Sequence, residues 1–150
     1  MATGGLRIHG TCVARGNDAV LIVGPSGSGK SDLALRLIGK GFVLVADDQV
    51  EIAGGRARAP PSLSGLLEVR GLGIVRLPYC PDATIRVVID LTQRPERLPE
   101  PARHPVLGLP AVRLDASGAS APERAILALD CALGAVTQVA GAFRPSQADG

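Results

Sequence analysis

Ala19-Val20-Leu21-Ile22-Val23-Gly24-Pro25-Ser26-Gly27-Ser28-Gly29-Lys30-Ser31 is the stretch that decides the fold. Five apolar residues in a row suit a strand buried on both faces. Gly24 to Ser31 then satisfies G-x-x-x-x-G-K-[ST]. A helix is expected behind it over Ser31 to Lys40. Leu33/Leu37 and Ala34/Ile38 pair there at i,i+4, and Gly39 and Gly41 supply stop signals. Phe42 to Ala46 reads as a second buried strand. Strand, loop, helix, strand is a βαβ-type opening, with both strands expected in one sheet.

The loop has its own chemistry. Glycines let the backbone curl so that successive N–H groups point at phosphate oxygens. The following helix aims its positive end at the same place. Lys30 reaches the outer phosphates as a point charge, and Ser31 offers its hydroxyl to a magnesium ion. A chance glycine-serine turn is the bland alternative. A buried strand before the loop and an amphipathic helix after it argue against that. Binding of a nucleoside triphosphate follows, through Gly24, Pro25, Ser26, Gly27, Ser28, Gly29, Lys30 and Ser31.

Outward from this core the pattern is mostly β. Leu6 to Val13 has β character, and Arg15 to Asp18 reads as a turn. Val50 to Ala59 looks like a hairpin around Gly54-Gly55. Leu66 to Leu77 alternates weakly around Gly71 and Gly73. Thr84 to Leu91 is a strand. Arg94 to Pro110 carries five prolines and is expected to be irregular, before a short strand over Ala111 to Leu114. Ser120 and Glu123 form a capping-box pattern opening a helix from Pro122 to Val139. One domain over residues 1–143 is expected, with a flexible tail over 144–150.

Composition narrows the function. The 150 residues are 46% hydrophobic and 20% charged, enough for a core and unlike a disordered chain. The net charge is only +2, with no concentrated basic surplus. Phe42, Tyr79 and Phe143 are the only aromatics, too few for a base-stacking platform. Nucleic acid is therefore not an expected partner. No apolar run reaches the 18 or so residues of a membrane span, and the N-terminus lacks a signal-peptide pattern. Cys12, Cys80 and Cys131 are odd in number and widely spaced, which suits reduced thiols in a cytoplasmic protein.

Asp47 and Asp48 close the second buried strand. Carboxylates at the end of such a strand sit on the ligand edge of an α/β sheet. Either could hold magnesium or accept a proton from an attacking hydroxyl, while a solvated turn is the plain alternative. Neighbours on a strand point to opposite sides, so the two should not share one role. Glu68 and Arg70 project to one face if the stretch is extended. They could serve metal and phosphate, or form a surface ion pair beside a bulge. His9 alone reads as a structural histidine, His104 as a loop residue, and Arg97 as a solvated arginine or a mobile phosphate clamp.

Taken jointly, Ile8-His9-Gly10, GPSGSGKS, Leu44 to Asp48 and Leu67 to Ile74 resemble the catalytic domain of HPr kinase/phosphorylase, which phosphorylates a serine of the bacterial phosphocarrier protein HPr. The resemblance covers most of residues 6 to 115 and matches a short proteobacterial form without the extra N-terminal domain. It implies an α/β fold: a P-loop kinase core with a mixed central sheet and few flanking helices. It implies ATP and Mg2+ as cofactors, HPr as partner, and homo-oligomerisation as an option. Lys30 would neutralise phosphate, and Ser31 and Glu68 would ligate magnesium. Asp48 would exchange the seryl proton, with Asp47 supporting metal or proton handling and His9 near that acid. Arg97 resembles the catalytic arginine, and Arg70, Gly71 and Gly73 belong to a stretch used in both reaction directions. A later family motif is poorly matched by Pro110 to Asp115, which bears on reverse phosphorolysis. Rival readings are a small-molecule kinase or nucleotide hydrolase, and a non-catalytic nucleotide-sensing module.

Overall fold

The computed structural model describes residues 5–144; of the expected tail only Arg144 falls among them. The chain opens with β1 (Leu6–His9), β2 (Thr11–Arg15) and β3 (Asp18–Val23), then α1 (Lys30–Ile38) and β4 (Val43–Ala46). A hairpin follows, β5 (Gln49–Ala53) and β6 (Arg56–Arg58), then a second, β7 (Leu66–Val69) and β8 (Gly73–Arg76). β9 (Ala83–Leu91), β10 (Ala111–Leu114) and α2 (Ala121–Ala132) complete the described chain.

Eight strands form one mixed sheet in the order β1-β5-β6-β9-β3-β2-β4, with β10 beside the second half of β9. β1 and β2 are joined by Gly10 alone, yet lie near opposite ends of that order. β4, at one end, is joined to β5, near the other, by Asp47 and Asp48 alone. One or two residues cannot span several strands spaced about 4.8 Å apart. The sheet therefore curls until its two ends meet. The links at Gly10 and at Asp47-Asp48 cross at this seam, where the Gly10 N–H donates to the Asp48 carbonyl at 3.2 Å. Gly10 is needed there, because a Cβ would stand 2.8 Å from the Ile22 carbonyl oxygen.

The curl separates two apolar clusters. Cys12, Ala14, Ala19, Leu21, Val45, Val50, Ala57, Ala83 and Val88 fill the concave side. Small residues dominate, as a tightly curved interior requires. Val13, Val20, Ile22, Leu33, Leu37, Ile89 and Leu129 fill the layer between the sheet and the helices. The continuous apolar runs of β3 and β9 thus serve both faces. Burying each of Leu33 and Leu37 contributes about 1.5–3 kcal/mol.

β3 and β4 share the sheet as expected, with β2 inserted between them and antiparallel to both. β3 and β9 are parallel, as are β9 and β10. Val23, Ala46, Leu91 and Leu114 therefore end at one edge. Gly54 and Gly55, at φ +59° and +78°, close the expected hairpin in the doubly left-handed turn.

Three expectations change. β character over Leu6 to Val13 resolves into two strands with separate partners. The second helix ends at Ala132 rather than Val139. Gly134 takes φ +76° and donates to the Cys131 carbonyl, while Ala135 donates to the Asp130 carbonyl. This pair of bonds is a Schellman stop, and it overrides the apolar residues beyond. The capping box does not form either. Ser120 stands at the N-cap, but its Oγ accepts from Arg124 Nε at 2.9 Å, and Glu123 pairs with Lys40 at 2.9 Å.

Candidate active site

The phosphate loop leaves β3 at the shared edge and turns into α1. Gly24, Gly27 and Gly29 have φ of +156°, +81° and +99°. A Cβ on Gly24 would meet Ser28 Oγ at 2.7 Å, so only glycine fits there. Lys30 is buried and folds over the loop, donating from Nζ to the Gly24 and Pro25 carbonyls at 2.9 and 3.1 Å. Ser28 Oγ is buried without a hydrogen-bond partner. A buried hydroxyl left over inside a glycine-rich cradle fits a loop built to receive an anion.

Asp47 sits at the end of β4 and is buried. Its Oδ1 accepts from Ser31 Oγ at 2.8 Å and from Thr11 Oγ1 at 2.9 Å; its Oδ2 accepts from the Glu68 N–H at 3.1 Å. One carboxylate thus ties together β2, the phosphate loop helix and β7. Asp48 behaves differently, as expected for neighbours facing opposite ways. It is exposed, its φ is +72°, and Gln49 N–H closes a tight turn across it onto the Asp47 carbonyl at 2.8 Å. Among the described residues it is the one non-glycine in the left-handed region. Such strain is held where the surroundings impose it. Its Oδ1 lies 3.1 Å from His9 Nε2, the last residue of β1. The seam of the sheet therefore delivers His9, Thr11, Asp47 and Asp48 to one place.

Glu68 faces Ile74 across the β7–β8 hairpin, so the cross-strand ion pair that was one reading of its spacing is not formed there. Leu67 is fully buried beside it, while Arg70 and Gly71 stand in the exposed turn of the hairpin and Gly73, also exposed, opens β8. A cleft of about 570 Å³ brings these pieces together: Lys30, Ser31, Asp47, Asp48, His9, Glu68 and Arg70 all line it. Arg97 does not line it, and lies exposed in the irregular stretch after β9. His104 is a loop residue as read, its Nδ1 accepting from the Val106 and Leu107 amides.

Thr11 escaped the sequence reading. A strand threonine carries no motif, and its partner lies 36 residues away. All three cysteines are free, and burial pushes the Cys12 thiol far above its ordinary range.

The oxygen donors suit magnesium better than a softer metal. Ser31, Asp47 and Glu68 offer a hydroxyl and two carboxylates. Among the described residues no three histidine, cysteine or acidic side chains form a cage. Magnesium is ordinarily held by one or two carboxylates together with phosphates and water, so a partial donor set is what it needs. A second cleft, of about 560 Å³, lies along β1, β5 and β6. Its arginines are engaged: Arg7 and Arg58 with Glu51, and Arg56 with Asp82.

A mixed sheet whose ligand edge carries a glycine-rich loop, a lysine and a serine bound to a strand-end aspartate defines a P-loop kinase fold. The family model described as "HPr Serine kinase C-terminal domain" matches residues 3–96, and the chain belongs to that family. The match ends one residue before Arg97. The chain is 34% identical to the HPr kinase/phosphorylase of Burkholderia lata, over 89% of this chain and 47% of the relative. The same figures hold for the HPr kinase/phosphorylases of Burkholderia cenocepacia and Burkholderia mallei. The chain thus spans about half the length of these relatives. Among solved structures, the Hpr(Ser) kinase/phosphatase from Coxiella burnetii has the same fold, with a TM-score of 0.72 at 22% identity, covering 87% of this chain and 98% of the other.

Proposed function

We propose that this chain transfers the terminal phosphoryl group of ATP to a serine of HPr, acting in the bacterial cytoplasm. The observation that carries the reading is the meeting of two pairs in one cleft: Ser31 with Asp47, and His9 with Asp48. In this reading the first pair serves phosphate and metal, and the second a proton. Family membership supports the choice of a protein serine as acceptor.

In this reading the loop amides and Lys30 hold the triphosphate. Lys30 exchanges its loop carbonyls for phosphate oxygens. Ser31, Asp47 and Glu68 would hold Mg2+, which supplies charge neutralisation between the outer phosphates. Asp48 Oδ accepts the seryl proton as the serine oxygen bonds to the terminal phosphorus. The bond from that phosphorus to the bridging oxygen breaks, and ADP leaves with the electron pair. His9 orients the Asp48 carboxylate. Positioning and electrostatics supply most of the rate in such sites. Arg97, outside the cleft as it stands, would have to move in to serve as the family's arginine does.

Mass spectrometry of HPr, after incubation with this protein, ATP and magnesium, tests the reading. One added phosphoryl on a serine is the expected product. Adding inorganic phosphate then reports on phosphorolysis. Unmodified HPr, with label moving instead to water or a metabolite, would overturn the assignment.

A further inference from the structure

The Asp47 carboxylate has little acceptor capacity to spare. Its two oxygens offer about four lone-pair sites between them. Ser31 Oγ and Thr11 Oγ1 both donate to Oδ1, at 2.8 and 2.9 Å, and fill that oxygen. The Glu68 N–H takes one site on Oδ2, at 3.1 Å. What remains open is on Oδ2, the oxygen that faces β7 and its Glu68.

The three donors are not equally anchored. Ser31 belongs to the helix that follows the phosphate loop, and Glu68 to a hairpin that forms a separate two-stranded sheet. Thr11 opens β2, which is paired on both sides, with β3 and with the β4 strand that carries Asp47. It is the donor that ties the carboxylate to the main sheet. Packing alone does not call for a hydroxyl there. Thr11 is buried, and Cys12, Val13 and Ala14 after it are buried and apolar. A hydroxyl in such a place gives up water for its bond to Asp47, whereas a valine of the same shape fills the space without that cost.

We infer that Thr11 is a positioning residue for the metal that accompanies the triphosphate. It acts through Asp47, closing one carboxylate oxygen and leaving the other open beside Glu68. This rests on the magnesium-nucleotide reading given above. Hydrogen-bond partners that orient a metal-binding carboxylate ordinarily matter about 10–100-fold for metal affinity.

Calorimetric titration of the whole chain with ATP, in magnesium and in EDTA and without an acceptor protein, tests the inference apart from transfer. The wild type binds ATP more tightly in magnesium. Thr11→Val keeps the shape, lowers affinity in magnesium about tenfold and leaves affinity in EDTA within about twofold. Thr11→Ser, which returns the hydroxyl without the methyl, recovers the magnesium-dependent affinity to within about threefold of the wild type. Thr11→Ala serves if the valine variant does not fold, with the same loss expected. Equal losses in magnesium and in EDTA, no loss in either, or a serine variant as weak as the valine one overturns the inference. A wild type that gains nothing from magnesium, or binds no ATP, defeats the magnesium-nucleotide reading and this inference with it, a result distinct from those three because it appears before any substitution.

Discussion

Ser31 Oγ and Thr11 Oγ1 share one acceptor, Asp47 Oδ1, at 2.8 and 2.9 Å, while the other oxygen of that carboxylate receives the Glu68 N–H. Every donor around Asp47 points inward. An amide at this position must turn its own N–H either on the Glu68 N–H, donor against donor, or on the two hydroxyls, which must then rotate and accept, so Asp47→Asn breaks the present set of bonds in a buried place. The expected cost is about 1–3 kcal/mol. Thr11→Val removes one donor only and costs about 1 kcal/mol. Urea denaturation at neutral pH measures both. If Asp47→Asn matches the wild type, these bonds do not brace the seam.

Asp48 is predicted to matter for chemistry and to burden the fold. Asp48→Asn keeps the shape and tolerates the left-handed backbone, but takes up a proton far less readily. Transfer to HPr should fall about 10²–10⁴-fold while ATP affinity is kept. Asp48→Gly relieves the φ of +72°. Its stability should equal or exceed that of the wild type, with transfer lost in the same way. A variant at this position with near-normal turnover removes Asp48 from the mechanism.

What the sequence made legible was local. β3, the phosphate loop, α1 and β4 are contiguous, and each carries its own periodicity or motif. Asp47 and Asp48 were readable as candidates because they end a strand at a known edge. Their division of labour was expected in outline, but which residue is buried depends on the curl of the sheet. That curl brings Gly10 so near the Ile22 carbonyl that a Cβ would clash, an approach between residues 12 apart in sequence that no local pattern records. Thr11 was invisible for the same reason. The end of α2 was misjudged because Val136 and Val139 continue an apolar pattern, whereas Gly134 fixes the stop through backbone geometry.

Leu67 holds the β7–β8 hairpin to the rest of the molecule. It is fully buried, and Val69 and Val75 pack beside it against the same cluster. Glu68, the next residue, reaches the cleft only while that anchor holds. Leu67→Ala should cost about 2–5 kcal/mol and raise the magnesium concentration needed for half-maximal transfer. Leu67→Met conserves volume and should cost less than about 1.5 kcal/mol, with the magnesium requirement nearly unchanged. Identical magnesium dependence in Leu67→Ala and the wild type would separate Glu68 from the metal.

Lys40, just past the end of α1, and Glu123, in the first turn of α2, meet at 2.9 Å. The Lys40 ammonium, helped by Glu123's own backbone N–H, holds the Glu123 carboxyl below the ordinary glutamate value. A carboxyl depressed in the folded state adds stability above its unfolded pKa, and that stability is lost as pH falls through the folded value. The pair is exposed and the gain is small. Thermal melts should therefore show Glu123→Gln below the wild type at about pH 6, with the gap closing as pH falls through the folded value of the Glu123 carboxyl. Lys40→Ala should produce the same pH-dependent loss, and the double variant no more than either alone. A gap between Glu123→Gln and the wild type that stays constant across the whole acid range would show that the residue acts through packing rather than charge.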